Sequence, residues 1–283
     1  GWGPEDRDFF HRLQVLGGGV GRTDGKVFHL WHPFSPERDR RAPHWLAGDA
    51  LKRHTWAITD PDAMRRRVAD AKVADGVLVV YVGNGRADCL AAAIKSFGSH
   101  LTGPIVRRVI IDDSGSFDHH CWIRLNYPDH DLVTTNGSAG FDGAYRLVWD
   151  TIAGYGMPWA FVIEEDFTLH RPVDLGDMQG VMDDRPHLVQ MALRRQPWFR
   201  AEIEAGGVIE QNPGAYEDVA GHLEHREFFT TNPTLLRRSF VTAHPWPKGA
   251  GSEAKFARSV FADQLARSGY WGKRTDAPWV IHD

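Results

Sequence analysis

From Gly76 onward the apolar positions come in blocks separated by short polar runs. Val77-Leu78-Val79-Val80-Tyr81-Val82 is continuously apolar, the pattern of a strand covered on both faces. Gly83-Asn84-Gly85 turns the chain, and Asp88–Phe97 follows with the spacing of an amphipathic helix. Val106–Ile111 reads as a second buried strand, ended by Asp112-Asp113-Ser114-Gly115. Leu132–Thr135 is a third strand and Phe141–Ala153 a second long helix. Trp159–Ile163 is a fourth strand, closed by Glu164-Glu165-Asp166. Strands and helices alternating at this spacing predict βαβ units and an α/β fold with a parallel sheet. After residue 170 the pattern loosens, with a strand expected at His187–Leu193 and a helix over Ser252–Ser268.

The chain before Gly76 follows a different pattern. Pro4–Leu16 places Phe9, Leu13 and Leu16 at helical spacing, the Gly17–Gly21 cluster stops it, and Val27–Trp31 reads as a short strand. Asp60-Pro61 suits the start of a polar helix running to about Ala74. We therefore expect a tail over 1–45, a helical linker over 46–75 and one large domain over 76–283.

Composition narrows the classes. The chain has 283 residues, 42% hydrophobic and 25% charged, with a formal net charge of −4. These values suit a folded globular protein and give no general attraction to nucleic acid. No run of 18 apolar residues exists, so no membrane-spanning helix is expected. Two cysteines, Cys89 and Cys121, cannot build a disulfide framework and suit a reducing, cytoplasmic setting.

In open parallel sheets ligands bind beyond the carboxyl ends of the strands. Three such ends here carry polar groups in order: Gly83-Asn84-Gly85-Arg86, Asp112-Asp113 and Glu164-Glu165-Asp166. Three consecutive acids at the end of an apolar strand repel one another and need a cation or a hydrogen-bond network. A divalent metal carrying a substrate diphosphate would supply that charge, and oxygen ligands suit Mn²⁺ or Mg²⁺. No Gly-x-x-x-x-Gly-Lys-Ser/Thr loop occurs, and the turn after the first strand lacks the third glycine of the dinucleotide fingerprint, having Asp88 there. His119-His120 beside Cys121 has no second metal-ligand pair at zinc spacing and reads as a loop.

These motifs, in this order, resemble the nucleotide-sugar half of the GT-A glycosyltransferases. Val77 to Asp166 carries the resemblance, with Val162-Ile163-Glu164-Glu165-Asp166 standing where the family has its Asp-x-Asp motif. The resemblance implies a GT-A (Rossmann-like) mixed, mostly parallel sheet flanked by helices. It implies a nucleotide-sugar donor contacted by Gly83, Asn84, Arg86, Asp112, Asp113, Arg146, Glu164 and Glu165, with Asp166 and His282 as metal ligands for Mn²⁺ or Mg²⁺. Trp246-Pro247 followed by Ser252-Glu253 resembles the acidic catalytic-base motif, which makes Glu253 the expected base and Trp246 an acceptor contact; Trp198 is a further stacking candidate. The same Ser252-Glu253 pair also reads as a helix N-cap and a first-turn acid.

The implied activity is a metal-dependent, inverting transfer of a hexosyl or N-acetylhexosaminyl group to a hydroxyl of a glycan, protein or small molecule. A nucleotidyltransferase and a catalytically inactive sugar- or nucleotide-binding domain are the alternatives. Gly1-Trp2-Gly3-Pro4-Glu5-Asp6 resembles the Gly-Trp-Gly-x-Glu-Asp motif near the end of galactosyltransferase-type GT-A domains, with Val27–Pro33 like the metal-His strand that follows it. The simplest account is a parent chain with two such domains in tandem, in which Glu5, Asp6, His29 and His32 are relics of the first. In the other account this segment completes the cleft of the second.

Overall fold

From Gly76 to Glu164 each apolar block forms the element its pattern predicts. In the computed structural model, which describes residues 76–135 and 137–283, strand β1 (Val77–Gly83) leads into helix α1 (Ala87–His100), β2 (Leu101–Thr102) and β3 (Ile105–Asp112). Helix α2 (Phe117–Asn126), β4 (Asp131–Thr134), α3 (Gly140–Tyr155) and β5 (Trp159–Glu164) follow. The second half contains β6 (Phe167–Leu169), β7 (Val173–Asp174), α4 (Leu175–Asp184), β8 (Leu188–Ala192) and α5 (Arg200–Ala205). It continues through β9 (Glu217–Val219), β10 (His222–His225), β11 (Thr234–Arg237) and α6 (Arg238–Ala243). Helix α7 (Ser252–Val260), β12 (Arg267–Trp271) and β13 (Val280–His282) end the chain. The readings made for residues 1–75 lie outside the described residues.

Nine strands form one mixed sheet in the order β4-β3-β1-β5-β11-β8-β12-β10-β9. β4, β3, β1 and β5 run parallel, β11 lies antiparallel between β5 and β8, and β12 is again parallel to β8. Period-two side-chain alternation sends the strand residues into two separate layers. Val77, Val79 and Tyr81 of β1, with Phe161 and Ile163 of β5, pack against Leu90 and Phe97 of α1 and Met178 of α4. Leu78, Val80 and Val82, with Ala160 and Val162, pack on the other side against Tyr145, Val148 and Trp149 of α3 and Phe256 of α7. The sheet is therefore covered on both faces, which is why its central strands read as unbroken apolar runs.

Two expectations need correction. His119 and His120 lie in helix α2, where a loop was expected. Ser116 caps that helix, accepting from His119 N at 3.2 Å, and both imidazoles turn back toward Asp112, so the polar appearance of the segment reflects inward-facing polar contacts. The last helix stops at Val260 and does not run to Ser268. Arg267–Trp271 is instead a strand between β8 and β10. Gly269 serves there because a Cβ would collide with the side chain of Met191. The residue capping α7 is Gly251, at φ 69°, and Ser252 is the first helical residue.

His225 supplies a stability test of the far sheet edge. Its ring lies 5.0 Å from Tyr216, 4.9 Å from Phe228 and 5.0 Å from Tyr270, with both nitrogens buried and without hydrogen-bond partners. Burial lowers its pKa from 6.5 to about 4. Between those values the unfolded chain binds a proton that the folded chain refuses, so this contribution is complete above pH 6.5 and is lost as pH falls toward 4. The loss is about 1.4 kcal/mol per pH unit. Urea unfolding at pH 7, 5.5 and 4.5 should show this decline, and His225→Phe should flatten it; an unchanged slope in that variant would assign the acid sensitivity elsewhere.

Candidate functional site

Parallel pairing aligns the three polar strand ends side by side. Gly83 pairs with Asp112 across β1 and β3, and Val82 pairs with Glu164 across β1 and β5. Main-chain bonds extend the alignment past the strands: Asp113 N donates to Gly83 O at 2.8 Å, and Glu165 N donates to Val82 O at 2.9 Å.

Each of the three consecutive acids has its own partner. Glu164 continues the inward parity of Ala160 and Val162 toward α3, where Tyr145 Oη donates to its Oε1 at 2.5 Å and the Thr231 hydroxyl also hydrogen-bonds to it. Burial, reinforced by repulsion from Asp166 and Glu253, pushes Glu164 up to about 7 against those hydrogen bonds. Glu165, 2% exposed, faces the opposite way; its Oε1 accepts from Arg86 Nε at 2.8 Å and from Asn84 N at 3.1 Å. Burial raises its pKa, and Arg86 and the Asn84 N–H oppose that rise. Asp166 Oδ2 accepts from Arg86 Nη2 at 2.8 Å and lies 3.5 Å from His282 Nε2.

The last strand delivers His282 to that place. β13 pairs antiparallel with β6, setting His282 opposite Phe167, and Asp283 N donates to Asp166 O at 2.9 Å. The imidazole stacks on Phe167 at 4.7 Å between centroids and meets Trp198, which is 44% exposed, at 4.4 Å. Asp166 Oδ1 and His282 Nδ1 are buried without hydrogen-bond partners among the described residues. Those residues gather no group of three or more His, Cys, Asp or Glu around a metal position. A hard divalent cation commonly takes one or two protein ligands and completes its shell with substrate phosphates and water. The Asp166–His282 pair, with its unspent polar atoms, fits that use.

The remaining expected residues divide. Asp112 is fully buried and held by His120 Nε2 at 2.9 Å and by the Ser114 hydroxyl, with His119 Nε2 at 3.4 Å. Asp113 accepts from Thr135 Oγ1 and Ala139 N, each at 2.7 Å, and so fixes the loop before α3. Arg146 lies 3.6 Å from Asp142 one turn earlier on α3, away from the acidic triplet's direct contacts. Trp246 is 4% exposed and packs against Tyr145, Trp149 and Phe256. It is a core residue and offers no face to an acceptor.

Glu253, in the first turn of α7, borders a cleft of about 330 Å³ together with Phe199, Gln211, Phe228, Asn232 and Tyr270. Burial raises its pKa, opposed by a hydrogen bond from the Thr231 main chain. Thr231 thus stands near both Glu253 and Glu164, beside the acidic strand end. Sequence reasoning missed Tyr145, Thr231 and His120. Tyr145 sits in the buried stripe of α3 and looks like any core aromatic; His120 was visible only as half of a His-His pair.

Gly83 tests how tightly the triplet is held. A Cβ there would collide with Glu165 Oε2, so Gly83→Ala must shift that carboxylate, whose other oxygen holds Arg86 and Asn84. The expected cost is about 1–3 kcal/mol of unfolding free energy, the usual range for overpacking. Chemical denaturation checks it, and a neutral effect would mean the carboxylate has room to move.

No family model matches the chain, and no curated protein matches it. Among solved structures, GalNAc-T7 with UDP, GalNAc and Mn²⁺ aligns over 75% of this chain with a TM-score of 0.52 and 8% identity. This chain spans 44% of the GalNAc-T7 chain. S. aureus TarS 1–349 in complex with UDP-GlcNAc aligns over 73% of this chain and 58% of its own, with 10% identity and a TM-score of 0.49. CMP:2-keto-3-deoxy-manno-octonic acid synthetase complexed with CTP reaches a TM-score of 0.43 at 11% identity, over 70% of this chain and 89% of its own. Together with the sheet order and the three aligned strand ends, the first of these likenesses establishes the architecture as the GT-A fold.

Proposed function

We propose that this chain is a glycosyltransferase that moves a hexosyl or N-acetylhexosaminyl group from a nucleotide-diphosphate sugar to an acceptor hydroxyl. The observation that carries this reading is the row of three aligned polar strand ends, at which Asp166 meets His282 with a buried polar atom of each left without a partner. Gly83, Asn84 and Arg86 border the donor side, and Asp112 and Asp113 shape the nucleoside end. Trp198 is exposed beside His282, and in this reading it stacks on the donor sugar. Acceptors with a hydroxyl on a glycan, protein or small molecule suit the cleft, whose aromatic walls and amide side chains match an apolar ring face and its polar rim.

Glu253 takes the proton from the acceptor hydroxyl as that oxygen bonds to the anomeric carbon. The bond from that carbon to the diphosphate breaks, and the electron pair leaves with the nucleoside diphosphate. One displacement at one carbon inverts its configuration. Mn²⁺ or Mg²⁺ held by Asp166 and His282 would supply Lewis-acid neutralisation of the leaving diphosphate. Arg86 adds a permanent positive charge on the same side, and burial raises the Glu253 pKa in the direction that makes it a stronger base. Among the described residues no helix is long and apolar enough to cross a membrane, and Cys89 and Cys121 are free thiols.

Two measurements separate the roles. Asp166→Asn should abolish Mn²⁺-dependent binding of UDP in calorimetry while leaving the melting temperature without ligand nearly unchanged; full affinity in the variant would remove Asp166 from the site. Glu253→Gln should lower kcat by roughly 10²–10⁴-fold with little change in donor affinity. Because Glu253 titrates above 4.5, the wild-type rate should fall on the acid side of that shifted value, and the variant should lose this limb. An acid that only favours the helix start would cost about 0.3–1 kcal/mol of stability and leave turnover intact. A product of retained configuration would also exclude the base assignment.

A further inference from the structure

Arg86 lies between the turn after β1 and the acidic end of β5. It stands at the N-terminal boundary of α1, directly after the Gly83-Asn84-Gly85 turn, and its side chain is 47% exposed. Its guanidinium bridges two carboxylates of the triplet at once: Nε holds Glu165 Oε1 and Nη2 holds Asp166 Oδ2, both at 2.8 Å. The Glu165 end is fixed, because that carboxylate is 2% exposed, is packed over Gly83 and also accepts from Asn84 N. The Asp166 end is contested, because the same Oδ2 lies 3.5 Å from His282 Nε2, and the atoms Asp166 Oδ1 and His282 Nδ1 have no partners.

A guanidinium on one oxygen of a carboxylate and a divalent cation on the same carboxylate repel each other as like charges at close range. We propose that Arg86 is an exchangeable counter-ion: it neutralises Asp166 when no divalent cation is bound, and pivots on its Glu165 anchor onto the donor's diphosphate oxygens when a cation takes Asp166 and His282. The inference rests on the proposed cation site at Asp166 and adds a positioning role for Arg86 that the site alone does not imply. A planar fork suits both tasks, since Arg pairs equally with carboxylate and phosphate. Moving one nitrogen from Asp166 while the other stays on Glu165 requires no change in the backbone. Cation and diphosphate then bind cooperatively, because each removes an obstacle to the other, and the coupling must be reciprocal.

The test compares Mn²⁺ titrations followed by electron paramagnetic resonance, with and without UDP, in the wild-type chain and in Arg86→Gln, Arg86→Lys and Asp166→Asn. In Arg86→Gln, Mn²⁺ alone should bind more tightly, by roughly 5- to 150-fold, the usual span of a coupling between sites. UDP should bind more weakly in that variant, and the enhancement of UDP affinity by Mn²⁺ should shrink. Arg86→Lys, which keeps the charge but loses the reach and planar fork that span Glu165 and Asp166, should tighten Mn²⁺ alone by a smaller factor, and it serves if the glutamine variant does not fold. Unchanged or weaker Mn²⁺ affinity in both Arg86 variants, with binding lost in Asp166→Asn, would overturn the exchange while leaving the cation site standing. Mn²⁺ binding unaffected by Asp166→Asn would remove the site itself, and the exchange with it.

Discussion

Three neighbouring carboxylates at the end of one strand repel one another, and burial worsens that repulsion. Here strand parity separates them before any counter-charge acts. Glu164 turns into the layer of α3 and meets Tyr145, Glu165 turns to the other side and meets Arg86, and Asp166, past the strand, is reached by both Arg86 and His282. Much of the surrounding architecture serves this division. β1 lies beside β5 so that its turn can bring Asn84 and Arg86 to Glu165, and β13 returns from the end of the chain to pair with β6 beside Asp166.

The same arrangement explains why the site sits where it does. Parallel neighbours put the ends of β1, β3 and β5 in one row, so a ligand there meets main-chain groups and carboxylates from three separate loops. Thr231, just before β11, reaches this row because β11 runs antiparallel beside β5 and brings its preceding loop to the same edge. A sheet that was parallel throughout would send that loop to the other end. The antiparallel insertion is therefore what places the cleft residues next to the acidic strand end.

How much of this was legible in the sequence depended on how the sheet is buried. Strands covered on both faces had to be apolar throughout, so β1, β3 and β5 could be read directly, and with them the three polar ends. The far edge was not readable by that rule. β10 is His222-Leu223-Glu224-His225, a strand whose polar side chains are buried and largely paired internally, with Glu224 held by Arg185, His187 and His222. β12 contains Gly269 because it runs close against Met191, and its composition resembles a helix tail followed by a turn. Trp246 was misplaced for a similar reason: an aromatic before a proline looks the same whether it lines a cleft or fills the core behind one. The pairings of Glu164 with Tyr145 and of Asp112 with His120 join residues brought together only by folding, and no local spacing announces them.

The central claim is that Asp166 and His282 form a cation site shared with a diphosphate. Pulsed electron paramagnetic resonance of Mn²⁺ bound to the chain together with UDP tests it most directly, because it reports which nuclei touch the ion. The account requires a nitrogen coupling from an imidazole, lost in His282→Gln, alongside phosphorus couplings from the diphosphate. Phosphorus couplings with no nitrogen coupling, or a nitrogen signal that survives the His282 substitution, would contradict it.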